Sequence, residues 1–203
     1  MPGWALNSAV DQLLKKEFDL LRKNGESHAL MKKYNIDAVP FEHPELSVWR
    51  DDNYKYVGAS VMHEPTNLLI CGIIDDIWIG NKEKELFIVD YKSTSTQKDI
   101  SLDDEYKQGY KKQIEIYQWI FRQKGFNVSD IGYFVFANAD KSRPKFDGRL
   151  EFETTIIPYK GDDSWVEKAV FEIKKCLDSE TIPESKNTCQ YCGYRRLNHQ
   201  AES

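Results

Sequence analysis

The chain has 203 residues and a mass of 23.7 kDa, with 28 basic and 33 acidic side chains giving a formal net charge of −5. That balance excludes a polybasic protein held to its partner by bulk charge, and 40% hydrophobic with 30% charged residues excludes wholesale disorder. No apolar run approaches the roughly 20 residues of a membrane helix, no basic region precedes an apolar stretch at the N-terminus, and four cysteines are too few for a disulfide scaffold, so the chain reads as cytoplasmic.

Apolar residues at Leu6, Val10, Leu13, Leu14, Phe18 and Leu21 follow the three-and-four spacing of an amphipathic helix, with Asn7 or Ser8 as cap and Gly25 as stop. A short helical stretch from Ser27 to Tyr34 carries His28, and Ile36 to Asn53 reads as irregular. Leu68 to Ile79 and Leu86 to Val89 are rich in Ile, Leu, Val, Phe and Trp, and the polar Gly80–Glu85 between them predicts a hairpin of buried strands. Helical spacing returns from Ser101 to Lys124, with Tyr106, Tyr110, Gln113 and Tyr117 along one face and Gly125 as stop. Two strands, Ile131–Ala139 and Leu150–Tyr159, precede a last helix from Ser164 to about Leu177 and a Pro-containing tail that carries Cys189 and Cys192. The order predicts an α/β fold, a central mixed β-sheet flanked by helices. It is expected to form one domain over 1–203, with its core at about 20–178 and a Cys-containing tail at 179–203.

Three acids and a lysine interrupt the apolar strands: Asp75 and Asp76, then, one hairpin later, Asp90 and Lys92. Burying an unpaired charge is costly, so such positions call for a reason. A turn centred near residue 82 returns the chain so that Asp75 or Asp76 lies roughly opposite Asp90, and the strand period of two puts Asp90 and Lys92 on one face with Tyr91 on the other. Two carboxylates converging beside an ammonium suit Mg²⁺ or Mn²⁺, which take hard oxygen ligands and leave positions for water and phosphate oxygens. Such an ion acidifies a bound water and neutralises charge on a phosphate, while the lysine orients that water or the transition state. The plain alternative is a strand-end acid pair and a solvated Asp90–Lys92 face.

In order, Gly72-Ile73-Ile74-Asp75, Ile88-Val89-Asp90-Tyr91-Lys92-Ser93-Thr94 and Gln113-Ile114-Glu115-Ile116-Tyr117 resemble the GxxD, hhDYK[ST] and QxxxY motifs of the PD-(D/E)XK nuclease superfamily. The resemblance is to its RecB-like branch and to an uncharacterised bacterial group within it. It implies a restriction-endonuclease-like core and a metal-dependent nuclease cleaving DNA, in repair, recombination or defence. By the same resemblance Asp75 and Asp90 are metal ligands, the backbone carbonyl of Tyr91 adds another, and Lys92 is the catalytic lysine. Gln113 and Tyr117 approach the active site or the nucleic-acid backbone. His28, three residues after Gly25 and so one residue tighter than the branch's GxxxH pattern, completes or tunes the metal shell. Asp76 is an outer acid or a strand-end acid, His63 is the rival histidine, and Glu17 on the first helix is a further acid able to face the metal.

Cys189 and Cys192 have metal-ligand spacing, but one pair is half a site. Zinc would need Cys176 and His199 as well, and an iron–sulfur cluster would need a cysteine upstream of the first motif, so neither group is expected. DNA is the expected partner, with basic residues in 106–125 and 140–149 as candidate phosphate contacts. The rival readings are a non-catalytic nucleic-acid-binding module that keeps the nuclease fold, and a metal-dependent enzyme acting on another phosphate ester.

Overall fold

Val10, Leu14 and Phe18 lie along the inner side of one helix, α1 (Ala5–Asn24), which Gly25 stops at φ +65°. The computed structural model describes residues 5–50, 58–186 and 188–201, in two units, Met1–Val166 and Glu167–Ser203. In the first unit α1 leads to α2 (Ala29–Lys33), β1 (Ala38–Pro40) and α3 (Leu46–Trp49). A separate two-stranded sheet follows, β2 (Ala59–His63) with β3 (Leu68–Gly72), and then the hairpin β4 (Asp76–Gly80) and β5 (Leu86–Thr94). A 3₁₀ turn, Glu105–Lys107, enters α4 (Gln108–Gln123), and β6 (Ile131–Ala139) and β7 (Phe152–Lys160) complete the main sheet. Helix α5 (Ser164–Leu177) spans the unit boundary, and α6 (Gln190–Ala201) lies in the second unit.

The main sheet has the order β1-β4-β5-β6-β7. Only β5 and β6 run parallel, and α4 is the crossover that a parallel pair requires. With helices against both faces of a mixed sheet, the fold is the α/β arrangement predicted, consistent with a PD-(D/E)XK core. On one face, Trp78, Val89, Tyr91, Val135 and Ile156 form a core with Leu14, Phe18 and Met31. Phe18 stacks on Trp78 at 5.4 Å and lies 5.7 Å from Tyr91. On the other face α4 settles close to the sheet at Gly132, where an added Cβ would sit 2.8 Å from Ile114 Cγ2.

The structure departs from the sequence reading in four places. The apolar run Leu68–Ile79 is not one strand, because the chain leaves β3 at Gly72 and enters a different sheet at Asp76. The stretch read as irregular contains β1, paired with β4 through Ala38↔Gly80, and the turn of α3, while Asp51 to Asn53 fall outside the described residues. Tyr106 is 67% exposed rather than on a buried stripe, because helix α4 begins only at Gln108. The tail after Cys189 is helical.

Candidate active site

The hairpin register pairs Asp76 with Val89, so Asp75, one residue earlier, meets Asp90 and not Val89. Period-two alternation then separates the adjacent acids. Asp75 joins Asp90 and Lys92 on the α4 side, accepting a 2.8 Å hydrogen bond from the Tyr91 backbone N–H. Asp76 turns to the α1 side and is fully buried. There it is paired with Arg22, accepts from the Tyr91 hydroxyl at 2.8 Å and from the Ile77 N–H at 2.9 Å, and lies 3.9 Å from Arg50. Arg50 in turn holds Asp19 through both guanidinium nitrogens. Asp76 is therefore an anion buried beneath β5 and paired with Arg22, on the face away from Asp90.

On the α4 side, Lys92 Nζ is in an ion pair with Asp90 Oδ2 and stands 3.5 Å from Gln113 Oε1. Its ammonium also lies 4.6 Å from the centre of the Tyr110 ring. Gln113 donates to the Tyr117 hydroxyl at 3.0 Å, and that hydroxyl donates to the Ile73 carbonyl at 2.7 Å. Gln113 and Tyr117 are one helical turn apart, so a single helix face carries the relay. The relay fixes the short segment just before Asp75.

Gly72 explains itself at this point. An added Cβ would lie 2.5 Å from Tyr117 Cε1, closer than carbon atoms pack, and Gly58 closes the other side against the Gly72 carbonyl. Gly72→Ala is expected to push the Tyr117 ring off Ile73 and to cost about 1–3 kcal/mol as overpacking. Cleavage should fall about tenfold or more with it, whereas Tyr117→Phe, losing one hydrogen bond, should cost only about 1 kcal/mol. Urea unfolding beside a cleavage assay measures both. A Gly72→Ala protein as stable as the parent would show that Tyr117 is free to move.

The electrostatics are those of a site short of positive charge. Burial, with Asp90 close by, pushes the Asp75 carboxyl up to about 7, against the opposing pull of Lys15 and Lys92. Asp90 is also raised by burial, although Lys92 opposes this, and its Oδ1 is buried with no hydrogen-bond partner among the described residues. Burial raises the Tyr117 hydroxyl to about 12, which keeps it a neutral donor. An orphaned carboxylate oxygen beside a second, reluctant carboxylate fits a divalent cation, which would satisfy both. Asp75 and Asp90 are the side chains able to hold it. Among the described residues no third His, Cys, Asp or Glu completes a cage, and Mg²⁺ ordinarily keeps several waters of its own.

Two residues of this site were not anticipated. Lys15 Nζ lies 3.7 Å from Asp75 Oδ1 and 2.8 Å from Asp11 Oδ2, and Asp11 adds its negative charge to both Asp75 and Asp90. The signal was present as a charged i,i+4 pair with its lysine wedged into the apolar stripe between Leu14 and Phe18.

His28 and Glu17 are not brought to the carboxylates. His28 caps α2, its Nδ1 accepting from the Leu30 N–H at 3.0 Å, and its Nε2 therefore donates to Glu17 at 2.8 Å. With both ring nitrogens used and the ring stacked 4.6 Å from Phe18, it stands on the Tyr91 side of the sheet. Glu17 faces His28 in consequence. His63 closes the β2–β3 turn with Thr66 at 2.7 Å. In the second unit Cys189 and Cys192 flank the start of α6, and hydrogen bonding from Cys192 lowers the Cys189 thiol.

A family model of the PD-(D/E)XK nuclease superfamily matches residues 5–197. Comparisons with curated proteins and with solved structures gave no match. Because the matched region runs from the start of α1 into α6 and takes in every strand and helix that supplies the carboxylate–lysine cluster, the chain belongs to the PD-(D/E)XK nuclease superfamily.

Proposed function

We propose that this chain is a deoxyribonuclease of the RecB-like branch, dependent on Mg²⁺ or Mn²⁺ and acting in DNA repair, recombination or defence. The observation that carries this reading is the buried, unpartnered Oδ1 of Asp90 facing Asp75 beside an ammonium. Asp75 and Asp90, with the Tyr91 carbonyl, would hold a divalent ion, which would supply Lewis acidity toward water and phosphate when bound. Lys92 has three N–H donors, of which Asp90 and Gln113 take two, and the third is available to orient the attacking water or an equatorial phosphate oxygen. Gln113 and Tyr117 hold Lys92 and the Ile73 carbonyl in a fixed relation, so the nucleophile and the charge that stabilises the transition state are positioned before substrate arrives.

The test is incubation of labelled single- and double-stranded DNA with Mg²⁺ or Mn²⁺, comparing the parent with Asp90→Ala and Lys92→Ala. Each substitution is expected to lower the rate by three orders of magnitude or more, on the order of what removing a central catalytic group costs. Cleavage that survives both would remove the site assignment. DNA binding with no metal-stimulated cleavage would leave a binding module on a nuclease fold.

A further inference from the structure

Most of the basic side chains singled out in the sequence are already held in ion pairs. On α4 and at its ends, Arg122 is paired with Asp130 and Asp163, Lys107 with Asp104, and Lys124 lies 3.7 Å from Glu45. In the loop after β6, Arg143 is paired with Glu151 and Lys145 with Asp147. Positive charge gathers elsewhere, in a cleft of about 660 Å³ between α1 and α3. Five basic residues, Lys15, Lys16, Arg22, Lys23 and Arg50, line it against two acidic ones; Lys15, Arg22 and Arg50 are held by Asp11, Asp19, Asp75 and Asp76, and Lys16 and Lys23 are exposed.

Three observations distinguish this cleft from a solvated helix face. Arg22 lines it while only 5% exposed, and its Nε and Nη1 have no hydrogen-bond partner among the described residues. Those donors are sealed from solvent, so Arg22 is a fixed positive charge behind the cleft wall, and the exposed Lys16 and Lys23 are the cations an incoming phosphate reaches. Lys15 belongs to the cleft and to the active site at once, through its contact with Asp75. Trp49 at the end of α3 gives its carbonyl to the Ile74 N–H, so the cleft wall is joined by backbone to the residue before Asp75.

We propose that this α1–α3 cleft is the channel for the phosphate backbone of a nucleic-acid strand on its way to Asp75 and Asp90, with Lys15 as the cation where the cleft meets Asp75. The proposal rests on the nuclease reading and adds the path of the substrate to it. Lys16 and Lys23 are exposed on α1, so reversing their charge tests the channel without touching the buried Arg22–Asp76 pair. The measurement is fluorescence anisotropy of a labelled oligonucleotide in EDTA over a range of salt. Lys16→Glu with Lys23→Glu is compared with a control pair of equal charge change, Lys82→Glu with Lys168→Glu. The cleft pair is expected to weaken binding at least tenfold and to flatten the dependence of log K on log salt by about two, one for each phosphate that is no longer neutralised. The control pair is expected to stay close to the parent.

Equal loss in both pairs, no loss in the cleft pair, or no binding by the parent protein would overturn the channel. A poly-glutamate of matched charge that competes as well as the oligonucleotide would overturn the nucleic-acid assignment in favour of an acidic peptide. Hydrolysis of bis(p-nitrophenyl) phosphate by the parent in Mn²⁺, a substrate too small to need the cleft, reads the carboxylate site by itself. Failure of the channel and failure of the nuclease reading are thereby separated.

Discussion

Asp75→Asn is expected to abolish metal-dependent cleavage and, in the same protein, to raise the stability of the metal-free fold. Activity goes because the variant removes one of the two charges available to a cation, and a loss of about three orders of magnitude follows from the size of such contributions. Stability rises because the ionised carboxyl is disfavoured where it stands. Its pKa is pushed up to about 7 by burial and by Asp90, from an ordinary value near 3.8. An asparagine still accepts the Tyr91 N–H and carries no charge, so the gain is on the order of 1–3 kcal/mol near pH 8.

The sign of the accompanying pH dependence is fixed by the same shift. The folded protein holds this proton more tightly than the unfolded chain, so the contribution of Asp75 is fully present at low pH. It is lost as pH rises from about 4 to about 7. The parent should therefore melt at a falling temperature across that window in EDTA, and Asp75→Asn should be flatter. Added Mg²⁺ reverses the trend, since the ion binds the ionised form and stabilises only the folded state. Thermal melts at pH 5 and pH 8, with and without Mg²⁺, contain all four comparisons. An EDTA melt that is higher at pH 8 for the parent than for the variant would contradict the electrostatics of the site.

Asp76→Ala is expected to behave in the opposite way, costing about 3–5 kcal/mol. Its carboxylate is fully buried against Arg22, within reach of Arg50 and bonded to the Tyr91 hydroxyl. Removing it leaves a guanidinium 5% exposed with only the partly exposed Asp19, 3.3 Å away, as counter-ion, which is the expensive way to break a buried pair. Asp76→Asn keeps an acceptor for Tyr91 and should lose less. Urea denaturation gives both numbers, and a cost below about 1 kcal/mol for Asp76→Ala would make it a solvated strand end after all. Two neighbouring acids thus carry opposite liabilities: charge on one weakens the fold, and charge on the other holds it.

Which parts of this were legible in sequence follows from the range of the interactions involved. Strand alternation and turn position are local, so the shared face of Asp90 and Lys92 and the opposite facing of Tyr91 were readable from the pattern, which left Asp75 or Asp76 opposite Asp90, and the register settles that as Asp75. Helical spacing likewise put Gln113 and Tyr117 on one face. The break at Gly72 was hidden because Leu, Ile and Trp continue on both sides of it, and what interrupts the strand is the ring of Tyr117, 45 residues away in the chain. The cations of α4 looked free for the same reason, since Asp163 reaches Arg122 only through the fold. His28 was misplaced because a lone histidine gives no sign of whether a backbone N–H and a glutamate already claim its two nitrogens.

The cluster around Asp75 takes Lys15 from the first helix and Tyr117 from the fourth, and the strand bearing Asp90 is flanked by β6, still later in the chain. During synthesis, then, the two carboxylates emerge long before the helix that orients Lys92 and the strand that encloses them. The hairpin can bring the two acids together early, but Lys92 has no Gln113 partner until α4 has been made. Topology therefore delays a complete site until α4 and β6 have both been made.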